Sequence, residues 1–189
     1  MRLTRLNVVL AVATVPFLAG GCYEPLGAPD EKPDGSVARL AAEVACSVPD
    51  GADRLADQVL QLINLERASD VSGLAPVVAS PVLAEIAAGH ACRMISGSFL
   101  AHIDPESGYG CGERAVRSGY AYFRVGENLA AGHRTPAEVV KAWMDSPEHR
   151  DILLDPAWKE VGIAVRAGGE YGMYWVLELG DPARLAQGH

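Results

Sequence analysis

The residues of this chain best suited to acid–base or metal chemistry include its five histidines. One of them, His149, lies in the stretch SPEHR, where Ser146 can cap a helix and Pro147 can occupy its first position. The third position of such a helix usually carries a glutamate or glutamine that bonds back to the cap. A histidine there is either a poor capping residue or points at another group. Because the helix dipole at this end favours neutral imidazole, the form that ligates metals, the position suits a metal ligand.

The other histidines and the serine and cysteine residues give weaker signals for a catalytic or metal site. His90 lies on an apolar helical face, where a histidine is more often a core residue than a ligand, and His133 and His189 fall in a loop and at the terminus. The sequence contains no GxSxG motif and no CxxC pair, which argues against a serine hydrolase and a cysteine-rich zinc site. Cys92 and Cys111 are better explained as disulfide partners or packing residues than as nucleophiles. We therefore assign no catalytic residue.

Apolar periodicity and capping signals define the helices that would position these residues. A capping box with proline in the first position begins at Thr135, and Ser80 is followed by a proline in the same way. Residues of the second helix, Leu83 to Met94, place an apolar face at helical spacing. We predict helices that begin at or near Asp53, Ser80, Thr135 and Ser146, and a shorter helix around Ala115.

Two strands are predicted near the end of the chain. Val161, Ile163 and Val165 alternate with other residues as in a strand, a Gly-Gly turn follows, and Met173 to Leu179 form a nearly all-apolar run. Because helices come first and the hairpin last, the expected fold class is α+β, with an antiparallel sheet packed against helices.

Composition limits the classes of partner. The chain of 189 residues has a net charge of −8 at pH 7 and contains no run of lysine or arginine. A nucleic-acid-binding protein normally presents a basic patch. We therefore expect no nucleic-acid partner.

The beginning of the chain is typical of an export signal. Arg2 and Arg5 precede an apolar run that ends at Leu18 and is shorter than the about 20 residues needed to span a bilayer. Cys22 directly follows two glycines, an arrangement that resembles the acylated cysteine of bacterial lipoproteins. We expect an exported lipoprotein held at the cell envelope by acylation of Cys22, with secretion without an anchor as the alternative.

The domain organisation follows from these signals and from composition. Residues 1–21 form the expected export signal, and residues 22–52, rich in proline and glycine after Cys22, a flexible tether. Residues 53–180 form the expected folded domain and residues 181–189 a C-terminal tail.

The remaining cysteines are Cys46, Cys92 and Cys111. An exported domain meets oxidising conditions, so we expect one disulfide with one cysteine left over. Sequence does not choose among the three possible pairings.

Several motifs, taken in order, resemble one protein family. They are Asn64-Leu65-Glu66-Arg67, His90 with Met94, FLAH ending at His102, Arg114, Gly119-Tyr120, VGENLAAG from Val125, AWMDSPEHRDIL and WKEVGIAV. The GEN tripeptide followed by W-x-x-SP-x-HR at this interval is highly specific in combination. The chain resembles the bacterial branch of the CAP superfamily, also called the SCP or cysteine-rich secretory, antigen 5 and pathogenesis-related 1 domain. This resemblance implies a three-layer α-β-α sandwich with a central antiparallel sheet.

The resemblance also implies a central cleft formed by His102, Glu127 and His149. Two imidazoles and a carboxylate can form a site for zinc or another divalent metal, with His102 and His149 as ligands and positions left for water. The plainer alternative is that His102 is a buried histidine hydrogen-bonded to Glu127 and that His149 faces solvent.

The chain departs from the family pattern at two positions. Many members have a further glutamate and a further histidine in the cleft, and the corresponding residues here are Ser146 and Ala157. Glu148 or Glu160 could supply the missing carboxylate, but neither is assigned to the site. A set of four coordinating residues is therefore not expected.

These features favour a binding module over an enzyme. The resemblance implies a metal-capable cleft that takes a small apolar, lipid-like or peptide ligand. The alternatives are a metal-assisted hydrolase of envelope or peptide substrates that uses the same three residues, and a purely structural or interaction domain. No common reaction defines the family, so resemblance alone assigns no activity.

Overall fold

The structure is a computed structural model that describes residues 46–183. Its helices are α1 (Ala52–Ser69), α2 (Pro81–Gly97), α3 (Cys111–Arg117), α4 (Pro136–Asp145) and α5 (Pro147–Leu153). Its strands are β1 (Val78–Ala79), β2 (Tyr122–Ala131), β3 (Glu160–Gly168) and β4 (Gly172–Pro182). The predicted export signal and Cys22 lie outside the described residues. Within the described range, none of the helices combines the length and apolar character needed to cross a membrane.

The sheet has the strand order β1-β3-β4-β2. Strand β4 pairs antiparallel with both β2 and β3, and the Gly-Gly turn joins β3 to β4 as predicted. The two-residue strand β1 pairs parallel with β3, so the sheet is mixed. The α+β class is confirmed, and the expected antiparallel sheet is corrected only at this short edge strand.

Helices cover both faces of the sheet. Alternate side chains of β4 point to opposite faces, so Trp175 and Leu177 join a core with α1 and α4, whereas Tyr174 and Val176 join a second core with α2. Trp143 of α4 fills the first core and is almost fully buried. The result is the three-layer sandwich that the family resemblance implies.

The predicted helix starts are largely confirmed. The backbone N–H of Glu138 donates to the Thr135 hydroxyl, and the Thr135 N–H donates to the Glu138 carboxylate, which completes the capping box of α4. Ser80 precedes α2, with Pro81 in the first helical position. The start of α1 differs, because Gly51 in the left-handed region (φ 72°) precedes the helix and Asp53 lies in its first turn.

Strand β2 was not predicted, although it contains the GEN motif. Its sequence, YFRVGENLAA, places Glu127 and Asn128 together in the middle of a strand, where adjacent polar residues usually indicate a turn. Both side chains are nevertheless buried, at 1% and 0% exposure. A strand tolerates them here because partners from other elements reach them.

A close backbone contact joins α2 to the sheet. A Cβ atom at Gly162 of β3 would lie 2.0 Å from the carbonyl carbon of Leu83 in α2. The helix therefore packs directly on the strand, and only glycine fits at this position.

A disulfide attaches the segment before α1 to the fold. It joins Cys46 to Cys92 of α2, and Ser47 forms an isolated antiparallel bridge with Ala167 at the edge of the sheet. The structure thus selects one of the three pairings left open by the sequence. No cysteine among residues 46–183 is free, so the expectation of one cysteine left over is wrong.

The buried Arg67 fixes the relation between α1 and α5. Its guanidinium donates to the carbonyl oxygens of Leu153 at 2.7 Å, Asp155 at 3.0 Å and Ala75 at 3.0 Å. Because the first two of these carbonyls end or follow α5, the contacts hold that helix, and with it His149, against the rest of the domain.

Candidate functional site

Glu127 lies at the centre of a buried cluster of ionisable groups. Its Oε1 atom is 2.7 Å from Nδ1 of His102, and its Oε2 atom accepts a hydrogen bond from the guanidinium of Arg114. Nε2 of His90 lies 3.8 Å from the same Oε2 atom. Both carboxylate oxygens are therefore already engaged by protein groups.

A second carboxyl group, that of Glu178, lies directly across the strand pair from Glu127. Burial raises the pKa of Glu127 to about 7, and burial together with the neighbouring Glu127 raises the pKa of Glu178 well above its ordinary value. Arg114 supplies one positive charge to the pair and lies 3.3 Å from Glu178. Above about pH 7 the consistent arrangement is an ionised Glu127, a protonated Glu178 and a charged Arg114, so that the charges of this group cancel.

Arg114 also holds the backbone around His102. Its Nη1 group donates to the carbonyl oxygen of His102 at 2.9 Å and to that of Tyr109 at 3.0 Å. The chain between these two residues is thereby fixed against α3. His102 is positioned twice, through its backbone by Arg114 and through its ring by Glu127.

The SPEHR motif holds His149 through the helix cap. Ser146 precedes α5 without a side-chain bond to the helix backbone, and its hydroxyl lies 2.8 Å from Nδ1 of His149. The amide of Asn128 donates to the carbonyl oxygen of His149 at 3.0 Å. His149 thus contacts the side chain of the cap residue and not, as a capping residue would, its backbone N–H. Its second ring nitrogen, Nε2, has no bond to the described residues.

Strand β2, at the edge of the sheet, lies between His102 and α5. Glu127 and Asn128 are adjacent in this edge strand, so their side chains point to opposite faces of the sheet. His102 contacts Glu127 from one face and α5 covers Asn128 from the other.

The environment keeps both imidazoles neutral. Burial, followed by the charge of Arg114, lowers the pKa of His102, and burial, followed by the charge of His102, lowers the pKa of His149. When each Nδ1–H donates to its partner, Nε2 carries the lone pair. In that tautomer, Nε2 of each ring is unprotonated and has no hydrogen bond to the described residues.

The side chains around Glu127 meet only part of the requirements of a metal site. Among residues 46–183, no group of three or more His, Cys, Asp or Glu side chains is placed to hold a metal ion. A structural zinc site requires four protein ligands, so this site does not fit that class. Glu127, on Nδ1 of His102, does occupy the position of a carboxylate that orients a ligating histidine.

A family model confirms the relationship. The model for CAP, the cysteine-rich secretory protein family, matches residues 60–179. The chain belongs to the CAP family. The matched range includes every member of the buried cluster described above.

Two proteins of Bacillus subtilis strain 168 are similar to this CAP protein. The uncharacterized protein YkwD is 33% identical over 134 residues, which cover 70% of this chain and 49% of YkwD. The uncharacterized membrane protein YlbC is 29% identical over 109 residues, which cover 57% of this chain and 30% of YlbC. The chain thus spans about half or less of the length of these relatives.

Solved bacterial structures share the fold. An extracellular protein containing an SCP domain from Bacillus anthracis matches with a TM-score of 0.61 and 24% identity, over 68% of this chain and 41% of that chain. An outer surface protein from Borrelia burgdorferi also matches with a TM-score of 0.61, at 19% identity, over 67% of this chain and 92% of that chain. At these identities the likeness establishes the CAP fold.

Neither candidate for an additional carboxylate joins the cleft. Glu160 accepts a hydrogen bond from the Tyr120 hydroxyl at 3.1 Å. Glu148 is exposed and has no side-chain hydrogen bond to the described residues. His102, Glu127 and His149 therefore remain the three site residues that the family resemblance implies.

Sequence reasoning missed three members of the buried cluster. Glu178 is the single charged residue in the apolar run Met173 to Leu179, and a charge in such a strand is itself a signal of a buried partner. Arg114 was noted as part of a motif without a role. His90 was correctly expected in the core, where it is 1% exposed, but its closeness to Glu127 was not anticipated.

Proposed function

We propose that this CAP protein is an exported binding module whose cleft binds a divalent metal through His102 and His149. The observation that supports the proposal is the fixed orientation of both rings. Each Nδ1 atom bonds to a neighbouring side chain, which leaves both Nε2 atoms as available ligands. Zinc bound there would have open positions for water or for a ligand atom.

The same contacts favour binding over hydrolysis. A metal-assisted hydrolase would use Glu127 as the base that takes a proton from water. Both oxygens of Glu127 are occupied, by His102 and Arg114, and the residue is 1% exposed. We therefore assign Glu127 the role of a positioning residue.

The ligand class follows from exposed apolar side chains close in sequence to the cleft residues. Leu100, two residues before His102, is 42% exposed, and Phe123, on the same strand as Glu127, is 72% exposed. Side chains of this size are usually buried, so their exposure supports a small apolar, lipid-like or peptide ligand.

A calorimetric titration of zinc tests the metal site. The native protein should bind zinc saturably in equimolar amount, and the double variant His102→Ala, His149→Ala should not bind. His133→Ala, which removes a histidine from the loop before α4, is the matched control and should bind normally. Glu127→Gln should weaken binding by about 10- to 100-fold, because it alters the group that orients His102.

Binding that survives in the double variant, or no binding to the native protein, would contradict the metal proposal. In that case the cluster stabilises the fold, and the structural alternative becomes the better explanation. Turnover of a peptide or envelope substrate that requires zinc and is abolished by Glu127→Gln would instead support the hydrolase.

We propose export and acylation on separate grounds. The Cys46–Cys92 disulfide fits an oxidising compartment, and two structural neighbours are described as an extracellular and an outer surface protein. The sequence around Cys22 supports a lipid anchor at the cell envelope. Mass spectrometry of the cell-associated protein should find an acylated Cys22 at the N-terminus, and any other N-terminus would refute the anchor while leaving the metal site untouched.

A further inference from the structure

A cavity lies between α2 and α3, and two of its lining residues, His90 and Arg114, also belong to the buried cluster around Glu127. It has a volume of about 330 Å³, and His102 and His149 do not line it. This volume is at the lower end of the range for small-molecule sites, so the cavity suits a ligand the size of one sugar ring. We refer to it as the α2–α3 groove; its lining includes Ile86, Gly89, His90, Tyr109, Arg114 and Arg117.

Two buried polar atoms of residues that line the groove have no partner among the described residues. They are Nδ1 of His90 and Nε of Arg114. Nε2 of His90 lies 2.9 Å from the carbonyl oxygen of Ala101 and must donate to it, so Nδ1 is an acceptor. Nε of Arg114 is a donor. Both atoms are buried, so a ligand reaches them only when side chains that line the groove move aside. A hydroxyl group both donates and accepts, so a hydroxyl would then suit both atoms.

The charges around the groove favour an uncharged ligand. Arg93 is paired with Asp104, at 2.6 Å, and Arg114 with a buried carboxylate. Glu85 and Arg117, which also line the groove, form no ion pair with the described residues and have opposite charges. An anion would be repelled by one and a cation by the other, whereas the hydroxyls of a neutral molecule can bond to both.

The groove also contains apolar surface for the ring of such a ligand. Ile86 and the ring of Tyr109 contribute to the lining, and the guanidinium of Arg117 lies 4.7 Å from the centre of the Tyr109 ring. We propose that the α2–α3 groove is a second binding site, for an uncharged polyhydroxylated molecule such as a monosaccharide. This site does not depend on a metal at His102 and His149.

Gly89 allows the groove to be blocked without disturbing the core. It is an exposed residue of α2, and a Cβ atom added to it would have no heavy atom within 4 Å. Leucine has a higher helix propensity than glycine, so Gly89→Leu should fold and project its side chain into the groove. Ala68→Leu, at an exposed position of α1, is the matched control.

The experiment is a titration of the ¹⁵N-labelled protein with glucose, N-acetylglucosamine and myo-inositol, followed by amide chemical shifts. At least one of these probes should cause saturable shifts confined to α2, α3 and the chain between them. Gly89→Leu should abolish the shifts, and Ala68→Leu should retain them. Arg117→Gln, at an exposed position of α3, should weaken the binding by about fivefold and serves as the second variant if Gly89→Leu does not fold.

The absence of saturable shifts with all three probes would overturn the proposal and leave buried water as the partner of His90 and Arg114. Shifts that persist unchanged in Gly89→Leu or, where that variant does not fold, in Arg117→Gln would also overturn it, because the molecule would then bind elsewhere.

Discussion

Replacing His90 by glutamine should make the folded protein less sensitive to acid. Burial, followed by the charge of Arg114, lowers the pKa of His90 from 6.5 to about 3 in the folded state. A group whose pKa is lowered by folding contributes stability that is present above its unfolded pKa and lost as the pH falls towards the folded value. The neutral His90 ring thus stabilises the fold above pH 6.5 and loses this contribution between pH 6.5 and pH 3.

The size of the effect follows from the unfolded pKa. Each pH unit below that value costs about 1.4 kcal/mol as long as the folded ring stays neutral. At pH 5 the native protein should therefore lose about 2 kcal/mol through His90 relative to pH 7.5. Glutamine does not titrate, and its amide can still donate to the carbonyl oxygen of Ala101. The unfolding free energy of the native protein minus that of His90→Gln should therefore fall by about 2 kcal/mol between pH 7.5 and pH 5.

Urea unfolding at pH 5, 6 and 7.5, followed by the fluorescence of the buried tryptophans, measures this difference. The raised pKa of Glu127 acts in the opposite direction, because its contribution is lost as the pH rises from 4.5 towards about 7. Both proteins share this contribution, so it cancels in the comparison. His133→Gln provides the same substitution outside the cluster. If the unfolding free energies of native protein and His90→Gln differ by the same amount at pH 5 and at pH 7.5, His90 is not a buried neutral residue.

Three further substitutions test the contacts that hold the domain together. Arg114→Met should lower the unfolding free energy by about 3–5 kcal/mol, because it leaves Glu127 buried without its cation; a loss below about 1 kcal/mol in urea unfolding would contradict the proposed charge balance. Cys46→Ser should cost about 2–4 kcal/mol by opening the disulfide, and a reducing agent should bring the melting temperature of the native protein down to that of the variant. Gly162→Ala should cost about 3 kcal/mol, because its Cβ would lie 2.0 Å from the Leu83 carbonyl carbon. Equal melting temperatures for Gly162→Ala and native protein would show that α2 does not pack directly on β3.

Local signals in the sequence determined much of the helical layer and the hairpin. Thr135 and Glu138 satisfy each other across one turn, and Ser80 is followed by a proline that suits a helix start. Such signals involve residues three or four positions apart, so they can be read without knowing the fold. The family motifs likewise indicated His102, Glu127 and His149 before any geometry was known.

Strand β2 and the buried cluster were decided by tertiary structure. Glu127 and Glu178 are 51 positions apart (178 − 127), and only the register of β2 against β4 places them opposite each other. Arg114 reaches this pair from α3. Because these groups are buried, their pKa values and their contributions to the stability of the fold depend on how well a neighbouring charge or hydrogen bond compensates each charge.

The SPEHR motif depends both on local sequence signals and on tertiary contacts. The sequence alone predicted a helix start at Ser146 and an imidazole in its first turn. The contact between Nδ1 of His149 and Ser146 is local, whereas the packing of α5 against β2, through Asn128, decided the surroundings of the ring, whose Nε2 has no bond to the described residues. A helix cap is a property of neighbouring residues, whereas the surroundings of a ring nitrogen depend on elements distant in sequence, and desolvation by those elements sets its chemistry.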